Sequence, residues 1–380
     1  MSPLKIIRSR LHRTPRIRTL YCMIGALISF LTGCSPGYVV RAAYEQSKIL
    51  LARRPIEDVI NDPSTVEEDR KKLRFVLDAR SFGAEIGLQP GKSFTAYSDV
   101  GKDTLAWVVV ASRKDAFVLH AWWFPIVGTV PYKGFFDKDD AESQAKSLEE
   151  KGYEASVRGT EAFSTLGWFN DPLLSTTLRN STPRIVNTVL HESVHSTVWI
   201  KNNVAFNETL ASFVGSQATI EFFERQKQQC PATSAECSDL NTYLQTAIRD
   251  HAFQLELAGR IEELYRNLEA LYSDPNRTSA QKIEQRVSIF EETMRPFRAR
   301  YPHMTSLQRV NNAEIMQFTL YMTDLAAFEK LFTQSNSAWP QFFSQIKAIA
   351  QAIEEDSSKD PFKELTKMVY SSSTPSAANP

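Results

Sequence analysis

His191-Glu192-Ser193-Val194-His195 is the stretch on which the reading of the fold turns. It sits in a run that begins near Pro183, with Ser181 or Thr182 available as a cap and the proline suited to the first helical position. Ile185, Val186, Val189, Leu190, Val194 and Val198 then recur at helical spacing to about Trp199. On a helix, residues four apart stand one turn apart on the same face, so the imidazoles of His191 and His195 can reach one metal ion. Glu192 projects beside that face, placed to take a proton from an attacking water. Five residues of this kind also arise by chance, so the surroundings must carry the reading.

The surroundings support it. Lys201-Asn202-Asn203 breaks the helical pattern, and a second helix is expected over residues 206–228. Glu208 falls in its first turn, with twelve residues between it and His195. A helix, short loop and helix can fold back and bring this carboxylate to the metal. Two histidines, a glutamate and a water form a catalytic zinc set that leaves one position open for substrate. A glutamate here is also what a helix N-terminus favours. Glu221 and Glu224, further along the same helix, are alternative third ligands. The other histidines read as packing or surface residues: His120 at the end of a strand, His251 and His303 on helical stretches.

Working outward, the pattern predicts an α+β chain that is mainly helical, with a small β-sheet in the N-terminal part and a helical C-terminal part. Helices are expected over 41–60 and 64–82. Leu105–Ala111 and Ala116–Trp122 read as a hairpin around Ser112-Arg113-Lys114-Asp115. A helix over 139–151 and a strand over 154–158 follow, then helices over 238–273, 278–298, 305–333 and 338–355. Residues 34–180 form the α+β part, residues 181–365 the helical part with the metal site, and residues 366–380 a polar tail expected to be disordered. With 14 glycines and no glycine-rich phosphate loop, nucleotide-binding folds are not favoured.

The N-terminus reads as an export signal over residues 1–33. Lys5, Arg8, Arg10, Arg13, Arg16 and Arg18 precede an apolar stretch from Leu20 to Leu31, and that segment holds no acid. Twelve apolar residues are short for a membrane span and normal for a signal peptide. Leu31-Thr32-Gly33-Cys34 resembles a bacterial lipobox, in which the cysteine is lipidated and becomes the new N-terminus. Ser35 follows, where an aspartate would signal retention at the inner membrane. The expectation is a cell-envelope lipoprotein anchored through Cys34, outer-membrane bound and facing the periplasm. Removing the leader leaves 38 basic against 44 acidic residues, a charge that argues against nucleic-acid binding. Cys230 and Cys237 remain, enclosing a short loop in an oxidising compartment, and read as a disulfide.

Several blocks resemble a family of predicted bacterial aminopeptidases that are lipoproteins with an H-E-x-x-H motif. They are Gly37-Tyr38, Ala52–Ile56, Trp123-Phe124-Pro125, Gly128, Tyr132–Phe136, Phe163–Phe169, Asp171–Thr176, Phe206-Asn207-Glu208, Asn311-Asn312-Ala313 and Tyr321, in order around the metal motif. The resemblance implies a zincin-like metallopeptidase with one catalytic Zn2+, Glu208 as third ligand and a peptide or protein substrate. It also implies that Glu161–Thr176 pairs with the substrate backbone, and that Tyr321 stabilises the oxyanion. Tyr321 reads equally as a packed helix tyrosine. Where the family has two cysteines, this chain has Trp123 and Thr129, and where it has an acid, this chain has Asn203.

The function expected is therefore a zinc-dependent peptidase, an aminopeptidase by resemblance. A metalloendopeptidase of the envelope, or a lipoprotein scaffold or chaperone with a vestigial metal site, is the alternative. An aminopeptidase needs an acidic group that binds the free α-amine, and the sequence points to none.

Overall fold

The computed structural model describes residues 44–371 apart from 46, 125–127, 161–169, 232–233, 305–306 and 309. The signal segment 1–33, Cys34, Gly37-Tyr38, most of Glu161–Thr176 and the tail after Ser371 lie outside the described residues. The first half contains β1 (Arg54–Pro55), α1 (Ile56–Asn61), α2 (Glu67–Glu85), β2 (Ala96–Ser98), β3 (Ala106–Arg113), β4 (Trp122–Phe124), β5 (Gly128–Val130), β6 (Lys133–Phe135), α3 (Lys138–Glu150), β7 (Tyr153–Thr160), β8 (Leu173–Leu174) and α4 (Ser175–Leu178). Helices then follow one another: α5 (Thr182–Thr197), α6 (Val204–Gln229), α7 (Ala235–Tyr272), α8 (Ser279–Arg300), α9 (Asn312–Met322), α10 (Leu325–Gln334), α11 (Trp339–Glu355) and α12 (Pro361–Ser371). The chain is α+β and mainly helical, with small sheets.

The sheet strands pair only in part as the sequence suggests. Strand β3 is the centre of a sheet ordered β6-β3-β7, antiparallel to both neighbours. Strand β6 covers β3 only from Trp107 to Val109. On the edge left open beyond it, Ala116–Trp122 turns back on β3 as a short hairpin closed by the single Ser112–Leu119 bridge, with the Arg113 N–H donating to the Val118 carbonyl and the His120 N–H to the Ala111 carbonyl. Phe117 stacks on Tyr265 of α7, with ring centroids 4.5 Å apart. A further hairpin is β4–β5, where Trp123 and Thr129 face each other directly. These are the two positions at which the family resemblance leads one to expect cysteines, and facing positions suit a bridge. A second small sheet, β1-β2-β8, carries Leu173-Leu174 at its edge, buried and parallel to β2.

Three helix boundaries also depart from the periodicity. The stretch 41–60 is interrupted because Arg54-Pro55 pairs with β2, and α1 starts only after the proline. The stretch 305–333 becomes two helices. Asn311 caps α9, accepting a bond from the Glu314 backbone while the Glu314 carboxylate accepts from the Asn311 N–H. Asp324, in the left-handed region at φ 52°, then separates α9 from α10. His303 consequently lies in a turn and not on a helix. Finally, α12 extends through residues 366–371, part of the expected tail, because Leu365 and Val369 are fully buried one turn apart.

Among the described residues four cores result, two of them small: β3 with α3, and Ile49 with Leu105 and Leu174. Of the two large ones, the larger joins α1, α2, α5, α6, the start of α7 and α10–α12, and the other joins the end of α7 with α8 and α9. Met322, the last residue of α9, packs against both. Helix α6 runs through the middle, with Phe206, Leu210, Phe213, Val214, Ala218 and Phe223 wholly buried, as befits a helix apolar nearly all round. A disulfide between Cys230 and Cys237 ties its end to the start of α7. Among the described residues no helix is long and apolar enough to cross a membrane.

Candidate metal centre

Helix α5 is held by one buried stripe. Ile185, Val186, Val189, Leu190 and Val194 are all 0% exposed, and each contributes about 1.5–3 kcal/mol by leaving water. That stripe leaves His191, Glu192 and His195 on the flank facing α6. The helix ends at Val198, which is extended, and the chain reverses through Asn202 at φ 63°. Asparagine tolerates this left-handed geometry better than most residues.

Asn207 then fixes how α6 begins. Its side-chain oxygen accepts from the Ile200 N–H at 2.9 Å, and its side-chain nitrogen donates to the Ile200 carbonyl at 2.8 Å. This buried two-point clasp sets the pitch of the first turn, and the next residue is Glu208. The sequence block Phe206-Asn207-Glu208 drew attention to the glutamate alone. A buried asparagine beside a short loop is the signal that would have revealed the clasp.

The three candidate ligands meet. Glu208 Oε2 lies 3.4 Å from His191 Nε2, and Glu208 Oε1 lies 3.6 Å from His195 Nε2. One donor atom from each of the three lies within 4.8 Å of the others. Tetrahedral zinc with bonds near 2.0–2.1 Å separates its ligands by about 3.3 Å, so the donor set fits that ion. Glu221 is turned elsewhere, its carboxylate bonded to Arg225 and to the Trp339 indole at 2.6 Å. Glu224 likewise does not join the cluster.

The electrostatics follow from burial and proximity. Burial opposes charge on His191, but the Glu208 and Glu192 carboxylates outweigh it and raise its pKa. His195 is pushed down to about 4, first by burial and then by His191. Burial would raise Glu208, yet its bond with His191 and the fields of both histidines hold it below the ordinary carboxylate range. The cluster thus keeps Glu208 anionic and His195 neutral, the forms that bind a cation. His195 Nδ1 is buried and has no hydrogen-bond partner among the described residues. Asn203, at the position where the resemblance leads one to expect an acid, donates instead to the Lys201 carbonyl at 3.0 Å.

Tyr321 is delivered by α9. Asn312, wholly buried, donates to the Arg113 carbonyl, and its oxygen accepts from the Tyr272 hydroxyl, so α9 is locked to β3 and α7. Tyr321 keeps 41% of its surface open, but burial in its concave surroundings, and next the Glu208 charge, push its hydroxyl up to about 12. The phenol therefore stays protonated, in electrostatic reach of Glu208 and Glu192.

A cleft of about 630 Å³ opens against His191 and Glu192, between α5, α6 and α7. Gly215 lies behind His191, where α6 crosses α5. A Cβ there would stand 3.1 Å from His191 Cβ and 3.2 Å from the Asn187 carbonyl, so the α5–α6 crossing relies on the missing side chain. Gly215→Ala is expected to push the helices apart at His191 at a cost of about 1–3 kcal/mol, weakening zinc binding by roughly tenfold or more. A zinc titration of the variant against an indicator checks this, and unchanged affinity would mean that α5 yields without moving the ligand.

Comparison with known proteins adds one finding. The family model described as "Putative aminopeptidase" matches residues 37–360. No curated protein and no solved structure matches the chain. The matched span takes in the sheets, the crossing of α5 on α6 and the helix that brings Tyr321, which is most of the chain, so the chain belongs to this putative aminopeptidase family.

Proposed function

We propose that the protein is a zinc-dependent peptidase with a zincin-like arrangement, acting as an aminopeptidase on peptides in the cell envelope. The observation that carries this reading is the convergence of His191, His195 and Glu208 at zinc-ligand spacing, with Glu192 on the adjacent helix position. Family membership points the same way, toward peptidase activity. The export signal and Cys34 support a lipid-anchored protein at the outer membrane, facing the periplasm. The acidic mature chain supports a peptide and not a nucleic acid as partner.

Zinc, when bound, supplies Lewis acidity that polarises a scissile carbonyl and lowers the pKa of the attacking water. Glu192 takes the proton of that water and delivers it to the leaving nitrogen. Tyr321, held protonated by its surroundings, donates to the carbonyl oxygen as negative charge gathers there. His195, with its pKa near 4, keeps a lone pair for ligation throughout the neutral range.

The test is hydrolysis of a mixed peptide library by the full-length protein in detergent, before and after a chelator. Cleavage that a chelator abolishes and added zinc restores is the expected result. No cleavage of any peptide, or cleavage indifferent to the chelator, would overturn the reading.

A further inference from the structure

The cleft beside His191 and Glu192 has one wall whose chemistry the hydrolytic machinery does not use. Ser216, Thr219 and Asp250 contribute to it. Ser216 follows Gly215, the residue in contact with His191, so this wall adjoins the metal ligands.

Both hydroxyl protons on the wall are already committed. Thr219 Oγ1 donates to the Gly215 carbonyl at 2.7 Å. Ser216 Oγ lies 2.7 Å from Nδ1 of the buried His251. The other ring nitrogen of His251 faces Glu329 Oε1 at 3.8 Å, too long for a hydrogen bond but close enough to favour the proton on Nε2. Burial keeps this imidazole neutral, so Nδ1 accepts and Ser216 donates to it. A hydroxyl has one proton and two lone pairs. With the proton spent, each of these oxygens can offer the cleft only lone pairs.

Asp250 adds charge to the same wall. Its side chain meets solvent, yet the surrounding protein strips enough water to raise its pKa. Arg249 and Arg184 pull the other way without outweighing burial, and no hydrogen bond to a described residue offsets it. Arg184, also in the lining, has a further interaction of its own. Such a wall is an acceptor set waiting for a donor that carries positive charge. A primary ammonium has three donors and no acceptor, which is the complement. Phe253, Met304 and Met322 line the same cleft and give the carbon attached to such a group an apolar bed.

We infer that Ser216, Thr219 and Asp250 form the subsite that holds an ammonium group of the peptide substrate beside the metal centre. The group is either the free α-amine or the side chain of a lysine next to the scissile bond. Asp250 and Ser216 then set substrate choice, and the His251–Glu329 pair is a positioning device behind Ser216. The inference rests on the peptidase reading, so its test is made without turnover.

Peptide binding to full-length Glu192→Gln protein, loaded with zinc, is measured by calorimetry with four peptides. Two differ only in acetylation of the α-amine. The other two are both acetylated and differ only in lysine against norleucine. One ammonium-bearing peptide is expected to bind at least tenfold more tightly than its neutral twin, and the pair that shows it identifies the source. Adding Asp250→Asn should reduce that preference to about twofold or less, and Ser216→Ala should weaken it. A preference that survives both substitutions, or no preference in either pair, would overturn the inference. Wild-type turnover on the same peptides judges the peptidase reading separately.

Discussion

Glu192→Gln is expected to hold the same amount of zinc as the wild type and to lose peptide turnover by about 10²–10⁴-fold. The amide is nearly isosteric with the carboxylate, and Glu192 is not among the three residues whose donor atoms converge. Ligation is therefore untouched. What the amide cannot do is accept a proton from the attacking water and return it to the leaving nitrogen. His195→Ala is the informative partner. It removes a ligand atom that stands 3.6 Å from Glu208 and leaves only His191 and Glu208 facing the ion. Zinc and activity should both disappear in that variant. Metal content by mass spectrometry, beside initial rates on one susceptible peptide, separates the two outcomes. Full turnover by Glu192→Gln would remove the general-base role. Zinc retained by His195→Ala would move the metal elsewhere.

Much of this site was legible in the sequence because it is local. The H-E-x-x-H spacing works through helical geometry alone, so the register of His191, Glu192 and His195 needs no tertiary knowledge. Glu208 was legible for a similar reason: only a short loop intervenes, and few paths are open to it. Other features depend on contacts between distant segments. Ser216, Thr219 and Asp250 share a wall only because α6 and α7 pack side by side, and each alone is an ordinary polar helix residue. The shortness of the hairpin at Ala116–Trp122 has the same origin, since nothing in its alternation says that β6 holds the same edge of β3 from Trp107 to Val109. The break at Asp324 was hidden because neither a proline nor a glycine marks it. The purpose of Gly215 shows only in its closeness to His191, which the sequence does not reveal.

Asn207 makes the strongest case that the site depends on a residue that never touches the metal. Its side chain is 1% exposed and satisfies both polar groups of the Ile200 peptide backbone. Asn207→Ala leaves the buried Ile200 N–H unpaired, while the Ile200 carbonyl still accepts from the Asn203 N–H at 3.2 Å, so a loss of about 1–3 kcal/mol in stability is expected. The loop between α5 and α6 loses its clasp at the same time. Glu208, the adjacent residue, then samples orientations in which its oxygens no longer face both histidines, and zinc binding should weaken by at least tenfold. Thermal unfolding with and without zinc distinguishes positioning from plain destabilisation. A residue that merely stabilised the fold would lower both midpoints equally. A residue that also orients Glu208 lowers the zinc-loaded midpoint more, because stabilisation by a ligand scales with its affinity for the folded state. Equal shifts in the two conditions would reduce Asn207 to a packing role and leave the orientation of Glu208 to α6 alone.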